Sequence, residues 1–132
     1  MREAVRIPAA AANAVLAHAV RDVPREACGL LVGTGTAVVR LAPATNADAS
    51  AMRYAIPADQ HFAAVRAARR DGLHVIGAYH SHPHGAAVPS TTDTAEAFSG
   101  FVFLIAGLVP EPHLRAWHLV DGNFAELRLV RT

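Results

Sequence analysis

The chain contains no lysine: all 12 of its basic residues are arginine. It therefore offers no side-chain amine for an isopeptide bond to itself. There is a single cysteine, Cys28, so no internal disulfide can form and a stapled secreted scaffold is excluded. Charged residues make up only 17%, the formal net charge is +1, and no run of one sign occurs. Nothing in that balance calls for a nucleic-acid surface. Long hydrophobic runs are missing too. The longest strongly apolar stretch, FVFLIAGLV at 101–109, suits a buried strand and is too short to span a bilayer. The Ala-rich stretch 9–20 contains Asn13 and His18 and follows Glu3, so it reads as an amphipathic helix rather than a signal peptide. These absences set the expectation of a cytoplasmic protein with neither a nucleic-acid nor a membrane partner.

What is present suits a single domain over 1–132: the chain has 132 residues, of which 52% are apolar, enough to build one core. Patterning predicts strands at 4–7, 28–33, 37–43, 53–56, 73–82, 101–109, 114–120 and 124–130. Helices are expected at 9–22, at 57–71, and from Ser90 to about Phe98. In the first helix Val15, Leu16, Ala19 and Val20 recur at helical spacing; in the second, Phe62, Val65 and Ala68 fall on one face, and Gly72 stops it. Asp121-Gly122-Asn123 signals a hairpin between the last two strands. The sum is an α/β fold, a mixed sheet with helices against it.

The chemistry concentrates in His80 to Asp93, HSHPHGAAVPSTTD, which follows the pattern H-S-H-x7-S-x-x-D. Alternate strand residues point to one side, so His80 and His82 can aim at a common centre from the end of a strand. A loop then lets Asp93 return from a following helix. Two neutral imidazoles and a carboxylate are the ligand set of a catalytic zinc that keeps a fourth position for water. Ordinary roles compete with this. Ser90-x-x-Asp93 also looks like a capping box at a helix start, where an acid sits near the positive helix end.

This stretch resembles the JAMM motif of the JAB/MPN metalloprotease family, and matches its H-[ST]-H-x7-S-x-x-D part at His80, Ser81, His82, Ser90 and Asp93. Glu26, in PREACGLLVG at 24–33, is similar to the family's upstream E-x-x-G-x-L-x-G block. The resemblance covers nearly the whole chain. It implies an MPN-like (cytidine-deaminase-like) mixed β-sheet sandwiched by helices, with Zn2+ held by His80, His82 and Asp93. It also implies Glu26 as the base that takes a proton from the attacking water and passes it to the leaving amine, and Ser90 as the donor to the developing oxyanion. The bland reading of Glu26 is a surface loop glutamate after Pro24, and that of Ser90 is an N-cap alone.

The chain looks like the small prokaryotic stand-alone members, with no long insertion after Asp93. The implied substrate is a ubiquitin-like or sulfur-carrier protein, cleaved after its C-terminal Gly-Gly. The motif leaves open a zinc hydrolase of small amides or short peptides, and a non-catalytic MPN scaffold. Cys28 reads as a small buried side chain rather than a ligand. Ser81 is expected to point away from the metal and to hydrogen-bond around it. His84 reads as surface loop with a possible substrate contact. His18, His61, His74, His113 and His118 show no ligand spacing, and Trp117 is expected to pack at the terminal hairpin.

Overall fold

A computed structural model describes residues 3–48, 54–90, 93 and 100–132. Its order is β1 (Ala4–Ile7), α1 (Ala9–Asp22), β2 (Cys28–Thr34), β3 (Ala37–Ala44), α2 (Ala58–Arg70), β4 (His74–His82), β5 (Val102–Gly107), β6 (His113–Val120) and β7 (Asn123–Arg131). Eight-to-nine-residue periodic strands and both long helices thus fall where the patterning puts them. The helix expected after Ser90 lies outside the described residues, except that Asp93 itself is helical.

The strands run β1-β3-β2-β4-β5-β6-β7 and the sheet closes on itself, because β1 pairs in parallel with both β3 and β7. β4 sits at the centre of the pairing, antiparallel to β2 and parallel to β5. One core cluster gathers side chains from all seven strands, among them Val5, Leu31, Val38, Tyr79, Leu104, Ala116 and Leu127, together with Ala12, Val15 and Ala19 of α1. A second cluster on the opposite face joins Leu30, Ala78 and Phe103 to Ala64 of α2. Burying each large aliphatic side chain here is worth about 1.5–3 kcal/mol, and Leu104→Ala in the fully enclosed core would cost about 2–5 kcal/mol.

Three local expectations need correction. The described part of 53–56 is not a strand. Its backbone is spent on a loop instead: Asn46 Oδ1 accepts from Ala55 N at 3.0 Å, and Ala47 N donates to Ala55 O at 2.8 Å. In α2 the inward residues are Ala64 and Ala68, whereas Phe62 is 62% exposed. Alanines four apart let the helix approach the sheet closely, and Phe62 lies far round the helix from them. In α1 Val20 is exposed and its neighbour His18 is buried, which leads to the network compared below.

Candidate metal centre

Strand β4 delivers the site. Cys28 lies opposite His80 on β2, Ile105 lies beside it on β5, and both are completely buried, so the C-terminal end of β4 rests on a packed floor. His80 and His82, two apart, share the α2 side of the sheet. Their Nε2 atoms are 3.3 Å apart. Asp93 reaches both, with Oδ1 3.1 Å from His80 Nε2 and Oδ2 3.0 Å from His82 Nε2. His80 is 2% exposed, and the Tyr54 ring stacks on it with centroids 4.6 Å apart. The sequence-read trio is therefore assembled by the fold, with one ligand atom from each residue within 4.8 Å of the others.

The donor set fits a metal on its own geometry. Bonds of about 2.0–2.1 Å to a tetrahedral zinc place neighbouring donors about 3.3 Å apart. The measured separations are 3.0 to 3.3 Å. The chemistry agrees. His82 Nδ1 donates to the carbonyl of Ala86 at 3.0 Å, so in the neutral ring Nε2 is a bare acceptor. It faces a carboxylate oxygen and a second imidazole nitrogen. Converging acceptors repel unless a cation or a proton lies among them. His80 Nδ1, meanwhile, is buried without a hydrogen-bond partner.

The electrostatics follow. Burial disfavours charge on Asp93, but the His80 and His82 rings against it, together with the hydrogen bond from Ser90 N, outweigh that and hold the carboxyl well below its usual range. Complete burial pushes His80 down. His82 loses some proton affinity to burial and regains more through Asp93 and the Ala86 carbonyl, so it ends above the usual histidine value. The carboxylate thus stays ionised, the form a metal ligand needs, and of the two histidines His82 holds a proton more readily.

Capping and convergence turn out to be compatible for Asp93. Ser90 N donates to Asp93 Oδ2 at 2.9 Å, and Asp93 N donates to Ser90 Oγ at 3.0 Å, the reciprocal pair of a capping box. Oδ2 serves the cap and His82 together. The pair also fixes Ser90 beside the centre.

Glu26 is 3% exposed and contributes to the field that raises His82, so it lies close without belonging to the donor group. Its placement is built by Ser81, which points away from the histidine face. Ala27 N donates to Ser81 Oγ at 2.7 Å, while Ser81 N donates to Ala27 O at 3.0 Å. Asn46 Nδ2 donates to the Glu26 carbonyl at 3.0 Å from the other side. Two clamps thus pin the backbone of residues 26–27 against β4.

Glu26, His82 and Ser90 share one open cleft of about 380 Å3, walled by Pro83, His84, Gly85, Ala86, Val88 and Pro89. Cys28 is fully buried, burial pushes its thiol up to about 12, and it does not join the His80–His82–Asp93 group. His84 is exposed at the cleft wall. Sequence reasoning missed Tyr54 and Asn46. Only Asn46, a turn-forming residue in a polar loop, carried a local signal.

The chain matches the family of prokaryotic homologs of the JAB domain over residues 8–120. It is similar to the CysO-cysteine peptidase of Mycobacterium tuberculosis, with 34% identity over 86% of this chain and 82% of that protein. A desampylase of Haloferax volcanii is 32% identical over 94% of each. Among solved structures, a solution structure of a protein from Desulfitobacterium hafniense superposes with a TM-score of 0.87, at 29% identity, covering 97% of this chain and 92% of that one.

Proposed function

The chain belongs to the prokaryotic JAB-domain family, and from that premise we propose that it is a zinc metallopeptidase of the isopeptidase type. It hydrolyses the amide bond after the C-terminal Gly-Gly of a ubiquitin-like or sulfur-carrier protein. The observation that carries this reading is the convergence of His80 Nε2, His82 Nε2 and an Asp93 carboxylate with buried Glu26 and capped Ser90 on one cleft. The relatives support the substrate class: one is named a CysO-cysteine peptidase and the other a desampylase.

His80, His82 and Asp93 would hold the ion. When bound, zinc lowers the pKa of water from about 15.7 towards 7 and polarises a carbonyl. Glu26, kept out of the donor set, accepts the proton of the attacking water and returns it to the leaving nitrogen. Ser90 Oγ accepts from Asp93 N, which aligns its own O–H to donate to the carbonyl oxygen as charge develops there; such a donor is worth about 2.7–4 kcal/mol in comparable sites. Pro83, Ala86, Val88 and Pro89 make the walls apolar. Small glycines thread such a cleft most easily, and the residue after them leaves as the amine.

Among the described residues no helix is long and apolar enough to cross a membrane. The single buried thiol accords with action in the reducing cytoplasm.

Incubation with a panel of ubiquitin-like carriers fused through Gly-Gly tails, with and without chelator and read by mass, tests the proposal. Zinc-dependent release of carriers ending in Gly-Gly is expected. If every carrier resisted while short peptides were hydrolysed, the substrate would be small amides instead.

A further inference from the structure

We infer that His113, on β6, is a positioning residue for the metal centre, fixing the tautomer and ring orientation of His82 through the single peptide group between Ala86 and Ala87. The inference rests on reading His82 as a metal ligand. His82, Gly107 and His113 form one lateral row across β4, β5 and β6. The middle position has no side chain to give. A Cβ on Gly107 would come within 2.6 Å of Ala87 N, Ala86 C and His113 Cε1. The backbone of Ala86 and Ala87 fills that gap and touches a histidine on each side.

The two contacts belong to the same peptide unit. Its carbonyl, on Ala86, accepts from His82 Nδ1 at 3.0 Å. Its amide, on Ala87, donates to His113 Nε2 at 2.9 Å. His113 Nδ1 in turn donates to the Glu111 carbonyl at 2.8 Å. Every direction is forced, because a carbonyl only accepts and an amide N–H only donates. His113 must therefore be neutral, protonated on Nδ1 and bare on Nε2. His82 must carry its proton on Nδ1, which turns Nε2 to Asp93 and His80. Bonds strung through one peptide polarise one another, so an acceptor at His113 strengthens the bond that orients His82. The flanks of the loop are tied separately: Trp117 Nε1 donates to Ala87 O at 3.0 Å, and Leu108 N donates to Gly85 O at 3.1 Å. These ties hold the loop in place and leave the Ala86–Ala87 peptide to His113.

Comparing the wild type with His113→Leu and His113→Gln separates positioning from packing, since glutamine keeps an acceptor and leucine keeps only bulk. Zinc affinity is read by chelator competition. His82 protonation is read in metal-free protein by long-range proton–nitrogen correlation in mildly alkaline solution. Loss of such an outer partner typically costs about ten- to hundredfold in metal affinity. The leucine protein is expected to lose that much and to show His82 with its proton shared between both nitrogens. The glutamine protein is expected to recover most of the affinity and the Nδ1-protonated form. Equal zinc affinity in all three proteins, or equal loss in both variants, would overturn the inference.

The wild type supplies a check that needs no variant: a His113 found protonated on Nε2 would also sink it. A wild type that holds zinc but cleaves no carrier would overturn the proposed substrate and leave this coupling standing. A wild type that held no zinc would overturn the metal reading, while the nitrogen spectra would still report the coupling.

Discussion

Tyr79 and His80 are neighbours on β4, yet they face opposite sides of the sheet and enter two different networks, each built on a buried histidine and an aspartate. On the α1 side, the Tyr79 hydroxyl lies 2.7 Å from His18 Nδ1, and His18 Nε2 lies 3.1 Å from Asp22 Oδ2. Aspartate accepts from histidine and histidine accepts from tyrosine, so this network is closed. On the α2 side, His82 commits its Nδ1 proton to Ala86 O and turns a bare Nε2 towards the Asp93 carboxylate, and His80 Nδ1 has no hydrogen-bond partner. Both networks set a buried imidazole against a carboxylate, Asp93 buried and Asp22 half-buried. Composition does not distinguish them; the direction of the hydrogen bonds does. A satisfied network specifies packing, whereas one that converges acceptors stands ready for a cation.

The largest effect is expected from breaking the chemistry of the converging side while leaving its ligands alone. Glu26→Gln should keep zinc and lose turnover by about 10²–10⁴-fold, the usual worth of a positioned acid–base group. Metal content and steady-state rates measured on one preparation check it. A variant retaining most of its activity would mean that Glu26 is not the base.

Next comes the cation itself. Chelation should abolish turnover, and added zinc should raise the melting temperature by linkage, since it binds only the folded protein. Asp93→Ala should lose that thermal response, because it removes a ligand and exposes two imidazoles to each other. Tyr79→Phe should keep it. A zinc-dependent melting shift of equal size in Asp93→Ala would place the ion elsewhere.

Tyr79→Phe sharpens the contrast from the closed side. It strips the partner from buried His18 Nδ1 and should cost about 1–3 kcal/mol of stability. Zinc affinity should not change. Denaturant midpoints and chelator competition on the same protein separate the two quantities. A loss of zinc affinity would show that the two faces of β4 are coupled.

The converging network was legible in the sequence and the closed one was not, for a physical reason. His80, Ser81, His82, Ser90 and Asp93 lie within fourteen consecutive residues that begin on a strand end, so their spacing carries information about their mutual geometry. Glu26 stands fifty-four positions before His80, and only the family resemblance linked it to them; the link in space is the Ser81–Ala27 clamp. His18 and Tyr79 are 61 residues apart and His113 and Ala87 are 26 apart. Such pairs depend on register across several strands, which no local pattern encodes. The same holds for the closure of the sheet through β1, which pairs with β7 along all four residues and with β3 at Arg6. Where the local reading slipped, at Phe62 and at 54–56, tertiary packing decided: small alanines won the contact face of α2, and the Asn46 side chain took the hydrogen bonds that a strand would have needed.

The smallest effect, and the finest test of the comparison, is a pH dependence. Burial is the main cause that holds His18 below the usual histidine value of 6.5, with Asp22 opposing it. Just under 6.5 the unfolded chain therefore binds a proton that the folded protein refuses. Stability from this group is fully present above 6.5 and is lost as the pH falls through the window below. His18→Leu removes the titrating group, so its stability deficit relative to the wild type should narrow as the pH drops beneath 6.5. Zinc release contributes equally to both proteins and cancels in the difference. Urea midpoints of the two zinc-loaded proteins across that range measure it. A deficit that widened on acidification would mean that His18 gains a proton on folding, held by Asp22, and that the α1-side network is an ion pair rather than a neutral relay.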